Sequence, residues 1–347
     1  MKKTLAALIV TAFAASAANA AVVYDNEGTK VELNGSLRLI MEKADKKEYD
    51  RAGKSTKKAN SALRNAGSRF GITVKHNLDN DFYALGRVEF RFDDTTSRDK
   101  FGGVYAKRAY VGLGSKAIGE LKFGRQVTIA DDLVQANDYE YGFIPKEEYI
   151  PTAGTGVVRY DYKGIEGLQL SANYNFGQTN NEKGKPLNPG IKNAYAVGAL
   201  YTAGDLDARF AYGHTNYETG ASYKHRLDGF LASLGYKFGD FTLTGDFAYG
   251  HEKLDDAKLN KFYVAPGFAY QVLPASKVYG NYLYERVKGE NTKDKTHGFL
   301  LGADYQLHKQ VVVFLEGKYV TKKEYVADTY NGKTKDRAIG VGMRVFF

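Results

Sequence analysis

The sequence of 347 residues contains no cysteine and only six prolines. Without cysteine, the chain cannot form disulfides, carry out thiol chemistry or build a thiolate metal site. Beyond residue 20 it also lacks any run of about eighteen apolar residues, which argues against a membrane-spanning helix. It is rich instead in glycine, tyrosine and phenylalanine, with 38, 27 and 20 residues respectively. This composition favours many strands joined by many turns.

The first twenty residues read MKKTLAALIVTAFAASAANA and have the features of a cleaved secretory signal peptide. Lys2 and Lys3 precede an apolar run, which ends in the small-residue pattern ANA at residues 18–20. We therefore expect residues 1–20 to be removed and residues 21–347 to form the mature protein. A membrane anchor is the weaker interpretation, because the run is short and ends at a cleavage pattern. Loss of the two lysines would lower the formal net charge from +9 to +7, a basic excess that suggests anionic partners.

Most of the remaining chain alternates apolar and polar residues in short segments, which is the period of a strand with two different faces. In one segment Phe90 and Phe92 share one face, while Glu89 and Arg91 share the other. We count sixteen such segments. The last one ends in Phe347 and is expected to close the sheet against the first. A negative mean hydropathy does not argue against a membrane protein, because a membrane barrel places only every second strand residue in lipid.

The connections between these segments fall into two groups by length. Short connections lie at 163–167, 203–205, 238–240, 273–276 and 307–310, and long polar ones lie near 42–66, 177–193, 214–226, 251–260, 288–297 and 322–336. This alternation is typical of outer-membrane barrels, which have short periplasmic turns and longer extracellular loops. A soluble sandwich has no reason to sort its loops by length. We therefore predict an all-β fold, a 16-stranded antiparallel transmembrane β-barrel, which must close because backbone polar groups in lipid have to be paired.

One long segment, residues 126–155, interrupts the alternation after the fifth predicted strand. A barrel of sixteen strands is too wide to be filled by its own side chains and leaves an aqueous channel. Because a long ordered loop usually has a function, we expect this segment to fold into the channel as a constriction loop. The alternative is that the inward charges facing it only solvate a wet lumen. The inward faces of the first four strands offer a basic wall that includes Arg38, Arg69, Arg87, Arg91 and Arg108.

Several motifs are specific enough to indicate a family: GSRFGI, DNDFYALGRVEFRF, KRAYVGLG and GELKFGRQ, with the long loop that follows and the terminal phenylalanine. In these motifs, and over residues 21–347 as a whole, the sequence resembles the general trimeric porins of Gram-negative bacteria, most of all the major porins of the Haemophilus and Pasteurella group. The resemblance implies a homotrimer in the cell outer membrane whose water-filled channels allow passive diffusion of small hydrophilic solutes and ions. It also implies that a second loop, about residues 93–103, reaches a neighbouring subunit.

In this family the third extracellular loop folds inward and faces a ladder of basic side chains. Arg69 and Arg108 resemble two members of the ladder, and Arg125 lies where the loop is entered. The sequence departs from many members within the loop, where NDYEYGFIPKEEY replaces PEFGG, and after it, where Arg159 is near but not equivalent to a ladder arginine. The acids of the constriction loop are therefore assigned by position, as Asp131, Asp132, Asp138 and Glu140.

Other functions remain open on the sequence alone. The same channel could favour anionic metabolites such as nicotinamide nucleotides, or the barrel could be an outer-membrane hydrolase or a surface adhesin. A hydrolase is disfavoured because the six histidines are scattered, with no repeated spacing toward serine or aspartate. We predict no catalytic residue, no metal site, no cofactor and no nucleic-acid partner.

The predicted first extracellular loop is basic and could contact the phosphates of lipopolysaccharide. Four acids lie among its cations, so simple solvation explains the loop equally well. The cations are Lys43, Lys46, Lys47, Arg51, Lys54, Lys57, Lys58 and Arg64.

Overall fold

The computed structural model describes residues 20–94, 97–219 and 224–347, most of which belong to one sheet. Residues 1–19 of the predicted signal lie outside the described residues. No helix in the described ranges is long and apolar enough to cross a membrane. The strands are β1 Ala21–Asn26, β2 Thr29–Tyr49, β3 Ser55–Asn65, β4 Arg69–Asn77, β5 Phe82–Phe92, β6 Val104–Ser115, β7 Gly119–Val127, β8 Ala153–Ile165, β9 Leu168–Asn175, β10 Gln178–Asn180, β11 Pro186–Ala203, β12 Leu206–Tyr217, β13 His225–Phe238, β14 Phe241–Leu254, β15 Ala257–Leu273, β16 Ser276–Lys288, β17 Thr292–His308, β18 Val311–Val326 and β19 Thr329–Phe346, with short 3-10 turns at Ile129–Asp132 and Lys146–Glu148.

These strand segments combine into sixteen barrel strands. Residues 39–49 of β2 pair with β3 and residues 29–36 pair with β4, so β3 and β4 form one interrupted barrel strand. In the same way, β10 continues β9 along β11. β1 is a short N-terminal segment that pairs with the beginning of β2. The described strands thus form the closed antiparallel barrel of sixteen strands that the sequence predicts.

The barrel closes between its first and last strands. β19 pairs with β2 from Lys333 opposite Tyr49 to Phe346 opposite Ser36. Just beyond this ladder, the backbone N–H groups of residues 35 and 347 each donate to the other's carbonyl, at 2.8 and 3.1 Å. Residue 35 is a glycine, and a Cβ at this position would lie 2.5 Å from the ring of the terminal phenylalanine. Closure pairs the backbone groups that an open edge would expose to lipid.

The two-residue period sorts side chains between lipid and lumen. On β19 the outward residues Ile339 and Val341 are exposed, as is Leu37 on the neighbouring strand β2. An apolar outer face of this kind is matched to hydrocarbon. Positions that alternate with these face the lumen, and several are polar and buried, including Ser36 and Arg38.

Many strands extend further than the apolar period predicts. Residues 42–66, predicted as a polar loop, form instead the ends of β2 and β3 around a turn at 50–54. The predicted loops near 251–260 and 322–336 are likewise hairpins with tight turns. Beyond the lipid both faces of a strand meet water, so the apolar period disappears while backbone pairing continues. The long polar connections on this side are therefore largely paired hairpins that project from the membrane.

Loop L3, residues 128–152, joins the fifth and sixth barrel strands, β7 and β8. It folds into the barrel, where its residues Ile129 and Tyr149 are fully buried. The inward-folded third loop agrees with the prediction. It is slightly shorter than the predicted span 126–155, because the flanking strands continue into that span at both ends.

Val341 lies near the middle of the lipid-facing part of β19, so it tests the assignment of faces. Val341→Arg should destabilise the barrel by about 2–4 kcal/mol, because a charged side chain near the bilayer midplane loses its hydration. Thr321→Arg is the control. Thr321 lies on the outward face of β18, beyond the interfacial ring of Tyr319. The substitution should therefore change stability by only about 0–1 kcal/mol. Denaturant titration in lipid vesicles measures both variants, and equal effects would contradict the assignment.

Candidate pore constriction

L3 is held in the lumen by carboxylates that project inward from the barrel wall. Glu316 on β18 is fully buried. Its oxygens accept hydrogen bonds of 2.6–2.8 Å from three consecutive backbone N–H groups of L3, those of Tyr139, Glu140 and Tyr141. The hydroxyl of Tyr279 donates a fourth at 2.8 Å. One buried carboxylate therefore satisfies a stretch of loop backbone that has no sheet partner.

Asp246 on β14 holds an earlier part of L3 in the same way. Its oxygens accept hydrogen bonds from the backbone N–H groups of Gln135 at 2.8 Å and Ala136 at 3.0 Å. The Gln135 side chain in turn donates to the hydroxyl of Ser233 at 2.8 Å. A Cβ at Gly235 would lie 2.2 Å from Oε1 of Gln135. The missing side chain at Gly235 thus makes room for the loop.

Apolar contacts complete the position of L3. Ile129, Leu133, Tyr149 and Ile150 belong to one buried cluster with inward residues of β11 to β16. The ring of Tyr149 meets that of Tyr263 edge-on, with centres 5.2 Å apart. Glu316 extends these contacts to β18, and Tyr139 extends them to β19, where its ring centre lies 4.6 Å from the guanidinium of Arg344. The hydroxyl of Tyr141 donates to Glu42 on β2 at 2.9 Å. L3 therefore covers the inner wall from β11 to β19 and reaches β2, whereas β4, β5 and β6 face the open lumen.

The strands that L3 leaves open, together with β19 and β2 at the border of L3, carry a group of arginines at nearly one level. Strand register rather than sequence distance brings them together, because each pair lies on neighbouring strands. The directly opposite pairs are Arg38 with Arg344, Arg69 with Arg91, and Glu89 with Arg108. We call the six arginines of this group, Arg38, Arg69, Arg87, Arg91, Arg108 and Arg344, the arginine wall. It includes five of the six predicted basic residues.

Glu89 is the acid at the centre of the arginine wall. Its carboxylate accepts hydrogen bonds from Nε of Arg91 at 2.7 Å and from Nη2 of Arg87 at 3.0 Å. Arg69 and Arg108 interact with it at longer range. A single carboxylate among these guanidinium groups leaves the wall with a net positive charge.

Arg125, the sixth predicted basic residue, lies at the edge of the arginine wall, opposite Ala109 on β6. Its guanidinium donates to the carbonyl of Ala106 at 2.6 Å and lies 3.4 Å from the carbonyl of Glu182. These contacts place it beside loop L4, residues 181–185, near the point where the chain enters L3.

Two of the predicted loop acids are paired with cations on the barrel strands next to L3. Asp132 lies 2.6 Å from Nη2 of the buried Arg159 on β8. Glu140 lies 2.5 Å from Nη1 of Arg64 on β3. Both carboxylates are therefore neutralised locally, and they fasten the loop to the wall.

The other two predicted loop acids keep access to the lumen. Asp131 is half-buried and lies 3.1 Å from Nζ of Lys146 within L3, and it also interacts at longer range with the arginine wall. Asp138 is exposed, as are Glu147 and Glu148 at the other end of the loop. Within the described residues, Asp131 and Asp138 are thus the predicted loop acids that have no cation of the barrel strands at salt-bridge distance.

The sequence does not single out three residues that define this site. Arg344 could have been found by alternation, since its neighbours Met343 and Val345 point outward. Glu316 follows the same period, but nothing in the sequence indicates that it meets L3. Arg64 falls in a segment whose polarity suggested a loop instead of a strand.

A closed antiparallel barrel with an apolar outer face, a polar lumen and a loop folded inside defines a channel-forming outer-membrane protein. The sequence profile described as Gram-negative porin matches residues 4–325. The major outer membrane protein of Pasteurella multocida strain Pm70 is 32% identical over 379 aligned residues, which cover all of both chains. The chain belongs to the Gram-negative porin family.

Solved structures with the same fold are more distant in sequence. OmpT of Vibrio cholerae, in its trimer form, superposes with a TM-score of 0.68 at 19% identity, covering 92% of this chain and all of that one. An anion-selective porin from Comamonas acidovorans gives a TM-score of 0.66 at 16% identity, with the same coverage. Family and fold together identify a multi-pass β-barrel of the outer membrane that forms a passive channel.

Glu316→Ala should loosen L3 without unfolding the barrel. Three backbone N–H groups lose an ionised acceptor, and hydrogen bonds to charged groups contribute about 1.5–3 kcal/mol each, so this part of the loop should open by local unfolding. Amide hydrogen exchange at residues 139–141 measures the opening. Glu324→Ala is the control. Glu324 lies on the same strand, and its carboxylate is exposed, 3.6 Å from Lys322. Equal exchange in the two variants would exclude the anchoring role.

Proposed function

We propose that small hydrophilic solutes and ions diffuse through the space between the arginine wall and L3. The observation that supports this path is the charge asymmetry across it. The wall holds six arginines around one carboxylate. L3 supplies Asp131 and Asp138, which interact at longer range with Arg108 and Arg344 respectively. Opposite charges across a narrow aqueous passage create a transverse field, which orients dipolar solutes and adds a charge preference to sieving by width.

The balance of these charges supports a neutral to weakly anionic preference. Asp132 and Glu140 are each paired with a cation next to L3. Their pairing weakens the negative side of the field but leaves the arginine wall unchanged. The surplus of positive charge should therefore favour small anions slightly over cations of the same size.

L4 supplies a further acid to this balance. The carboxylate of Glu182 lies 2.8 Å from Nζ of Lys107 and 3.7 Å from Nη1 of Arg108. L4 is fixed in this position by Lys183, which lies 3.2 Å from Asp94 in the second loop. We infer that Glu182 lowers the positive potential at the extracellular end of the arginine wall.

Catalysis by a barrel hydrolase is the alternative of a different class. Two histidines do lie close to carboxylates, His214 at 2.7 Å from Asp228 and His225 at 2.6 Å from Glu252. The other ring nitrogen of His214, however, is 3.2 Å from the side-chain oxygen of Asn216. A nucleophilic hydroxyl would be needed at that place. We propose that the protein acts as a channel without catalysis, and a hydrolysis assay on the purified protein separates the two functions.

We also propose a homotrimer. The fold likeness to a V. cholerae OmpT described as a trimer form supports this assembly. Within the described part of the second loop, the backbone groups of Asp93 and Gly103 are hydrogen-bonded at 2.9 Å, and the carbonyl of Asp99 accepts from the backbone N–H of Asn65 at 2.7 Å. The base of this loop is thus held in place, which suits a segment that contacts a neighbouring subunit.

Single-channel recording tests the assembly. A homotrimer with one channel in each subunit should close in three equal conductance steps, because each lumen is a separate path. Closure of the purified protein in a single step would contradict the proposal.

Neutralising the arginine wall tests the proposed solute path. Arg38→Gln/Arg69→Gln should raise the cation-to-anion permeability ratio about threefold to tenfold, equivalent to about 0.7–1.4 kcal/mol of lost anion stabilisation. Reversal potentials in planar bilayers under a salt gradient give the ratio. Arg51→Gln is the control, because Arg51 is exposed in the turn between β2 and β3. It should leave the permeability ratio nearly unchanged.

Glu182→Gln should change the permeability ratio in the opposite direction in the same recordings. Without its carboxylate, Lys107 and Arg108 keep their full charge, so the permeability ratio should move toward anions. The proposed path would be overturned if Glu182→Gln moved the permeability ratio toward cations. It would also be overturned if Arg38→Gln/Arg69→Gln gave the same ratio as the Arg51→Gln control.

A further inference from the structure

A polar cavity lies below L4 at the extracellular mouth of the barrel. It has a volume of about 630 Å³, within the range of small-molecule sites. Its walls are the ends of β7, β8 and β12 and the hairpin from β10 to β11, and we call it the mouth cavity. Apart from glycines, the residues that line it carry charged, amide or hydroxyl side chains. A molecule bound there has to be polar on every side, because no apolar surface is available to it.

The roof of the mouth cavity, L4, is fixed by its own contacts. The side-chain oxygen of Asn181 accepts hydrogen bonds from the backbone N–H groups of Lys183 at 3.0 Å and Lys185 at 3.1 Å, which shapes the turn. The carboxylate of Glu182 is held by Lys107 on β6 at 2.8 Å. The cavity is therefore preformed, and a bound molecule does not have to order the loop at a cost in conformational entropy.

Two residues that line the cavity carry opposite charges without an ionic partner in the described part of the chain. Arg125 uses its Nη1 group for the carbonyls of Ala106 and Glu182, whereas its Nε and Nη2 groups have no acceptor there. The carboxylate of Glu218 is exposed, and it lies beside Gly190, where a Cβ would be 3.0 Å from Oε2. A guanidinium and a carboxylate thus meet one cavity with hydrogen-bonding capacity to spare.

The two charges reach the cavity from different sides. Arg125 lies on β7 and Glu218 follows the end of β12, and along the wall β8, β10 and β11 lie between them. In this interval Gln178 uses its side-chain oxygen to accept from the backbone N–H of Thr155 at 2.8 Å and from its hydroxyl at 3.1 Å. The amide NH2 group of Gln178 is left as a donor between the two charges.

We propose that the mouth cavity binds short zwitterionic peptides of two or three residues as they enter the channel. The guanidinium of Arg125 matches the peptide carboxylate, Glu218 binds the ammonium group, and Gln178 donates to a peptide carbonyl. An amino acid carries both charges on one carbon, whereas each further residue separates them by up to about 3.5 Å. A solute of one charge sign gains one ion pair and meets a like charge at the other side.

This inference rests on the solute path proposed above, for which the mouth cavity forms part of the extracellular entrance. It adds a class of solute that the net charge of the arginine wall does not select. The wall acts on the net charge of a solute, whereas the mouth cavity acts on the separation of two opposite charges within one molecule.

Block of the single-channel current by triglycine tests the proposal on the purified protein in planar bilayers. Arg125→Gln should weaken the block about twofold to fivefold, the effect of losing one partly exposed ion pair. The same variant should not weaken block by triglycinamide, which has no carboxylate. Glu218→Gln should weaken block by triglycine to a similar extent, but not block by acetyl-triglycine, which has no ammonium group. Arg51→Gln and Glu290→Gln remove the same charges from exposed turns and should leave every block unchanged.

Conservative variants separate binding from a displaced L4. Arg125→Lys and Glu218→Asp keep the charges and should retain most of the block by triglycine. The proposal is overturned if the two Gln variants behave like the controls, if they weaken block by all the peptides equally, or if uncharged acetyl-triglycinamide or a neutral disaccharide blocks as strongly as triglycine. The solute path is tested separately by Arg38→Gln/Arg69→Gln, because these two arginines do not line the mouth cavity.

Discussion

Every backbone polar group that crosses the hydrocarbon must be hydrogen-bonded within the protein, and the rest of this structure depends on that constraint. It requires the sheet to close, which β19 and β2 achieve in continuous register up to the exchange between Gly35 and Phe347. A closed sheet has only two faces. The two-residue period along each strand therefore decides whether a side chain meets lipid or the lumen, and the chemistry of both surfaces follows from it.

L3 is subject to the same requirement without the help of a sheet. Its backbone lies inside the barrel, and the wall satisfies it with the carboxylates of Glu316 and Asp246. Its own acids are used in a similar way, since Asp132 is paired with Arg159 on β8 and Glu140 with Arg64 on β3, neither of which belongs to the arginine wall. Charges that look like pore-lining groups thus partly hold the loop. The field across the lumen depends on those that remain, and the arginine wall then contributes more to it than L3 does.

The sequence predicts the architecture well, because alternation is a local signal. It predicts the strand count, the inward loop and five members of the arginine wall for this reason. The sequence-based prediction ends β2 too early. Residues beyond the lipid, such as Lys46 and Lys47, do not follow the apolar period, although their backbone is paired with β19 and β3. It cannot give the partners of L3, because Glu140 and Arg64 are 76 residues apart and meet only through the closed barrel.

Arg125 shows that a sequence motif also has limits as a predictor of the site. The motif around it resembles that of the family, but its guanidinium is directed to the backbone carbonyls of Ala106 and Glu182. A motif places a residue on the chain, whereas the direction of its side chain depends on local strand geometry. Here the register shifts between β7 and β8 next to this residue, so simple alternation no longer assigns its face.

The arginine wall shows how strongly register decides the surroundings of a residue. In the arginine wall, Glu89 offsets part of the repulsion, and the aqueous lumen screens the rest over a Debye length of about 8 Å. The guanidinium of Arg344 also lies 4.6 Å from the ring centre of Tyr139, a favourable contact for a cation.

Lys322 and Lys323 show the same dependence on register. They are adjacent in sequence and chemically identical, yet Lys322 faces inward and lies 2.8 Å from Asp294. Lys323 faces outward and lies opposite Lys295 on one side and Lys333 on the other. Alternation separates them to opposite faces, and register then gives one an acidic partner and the other two like charges.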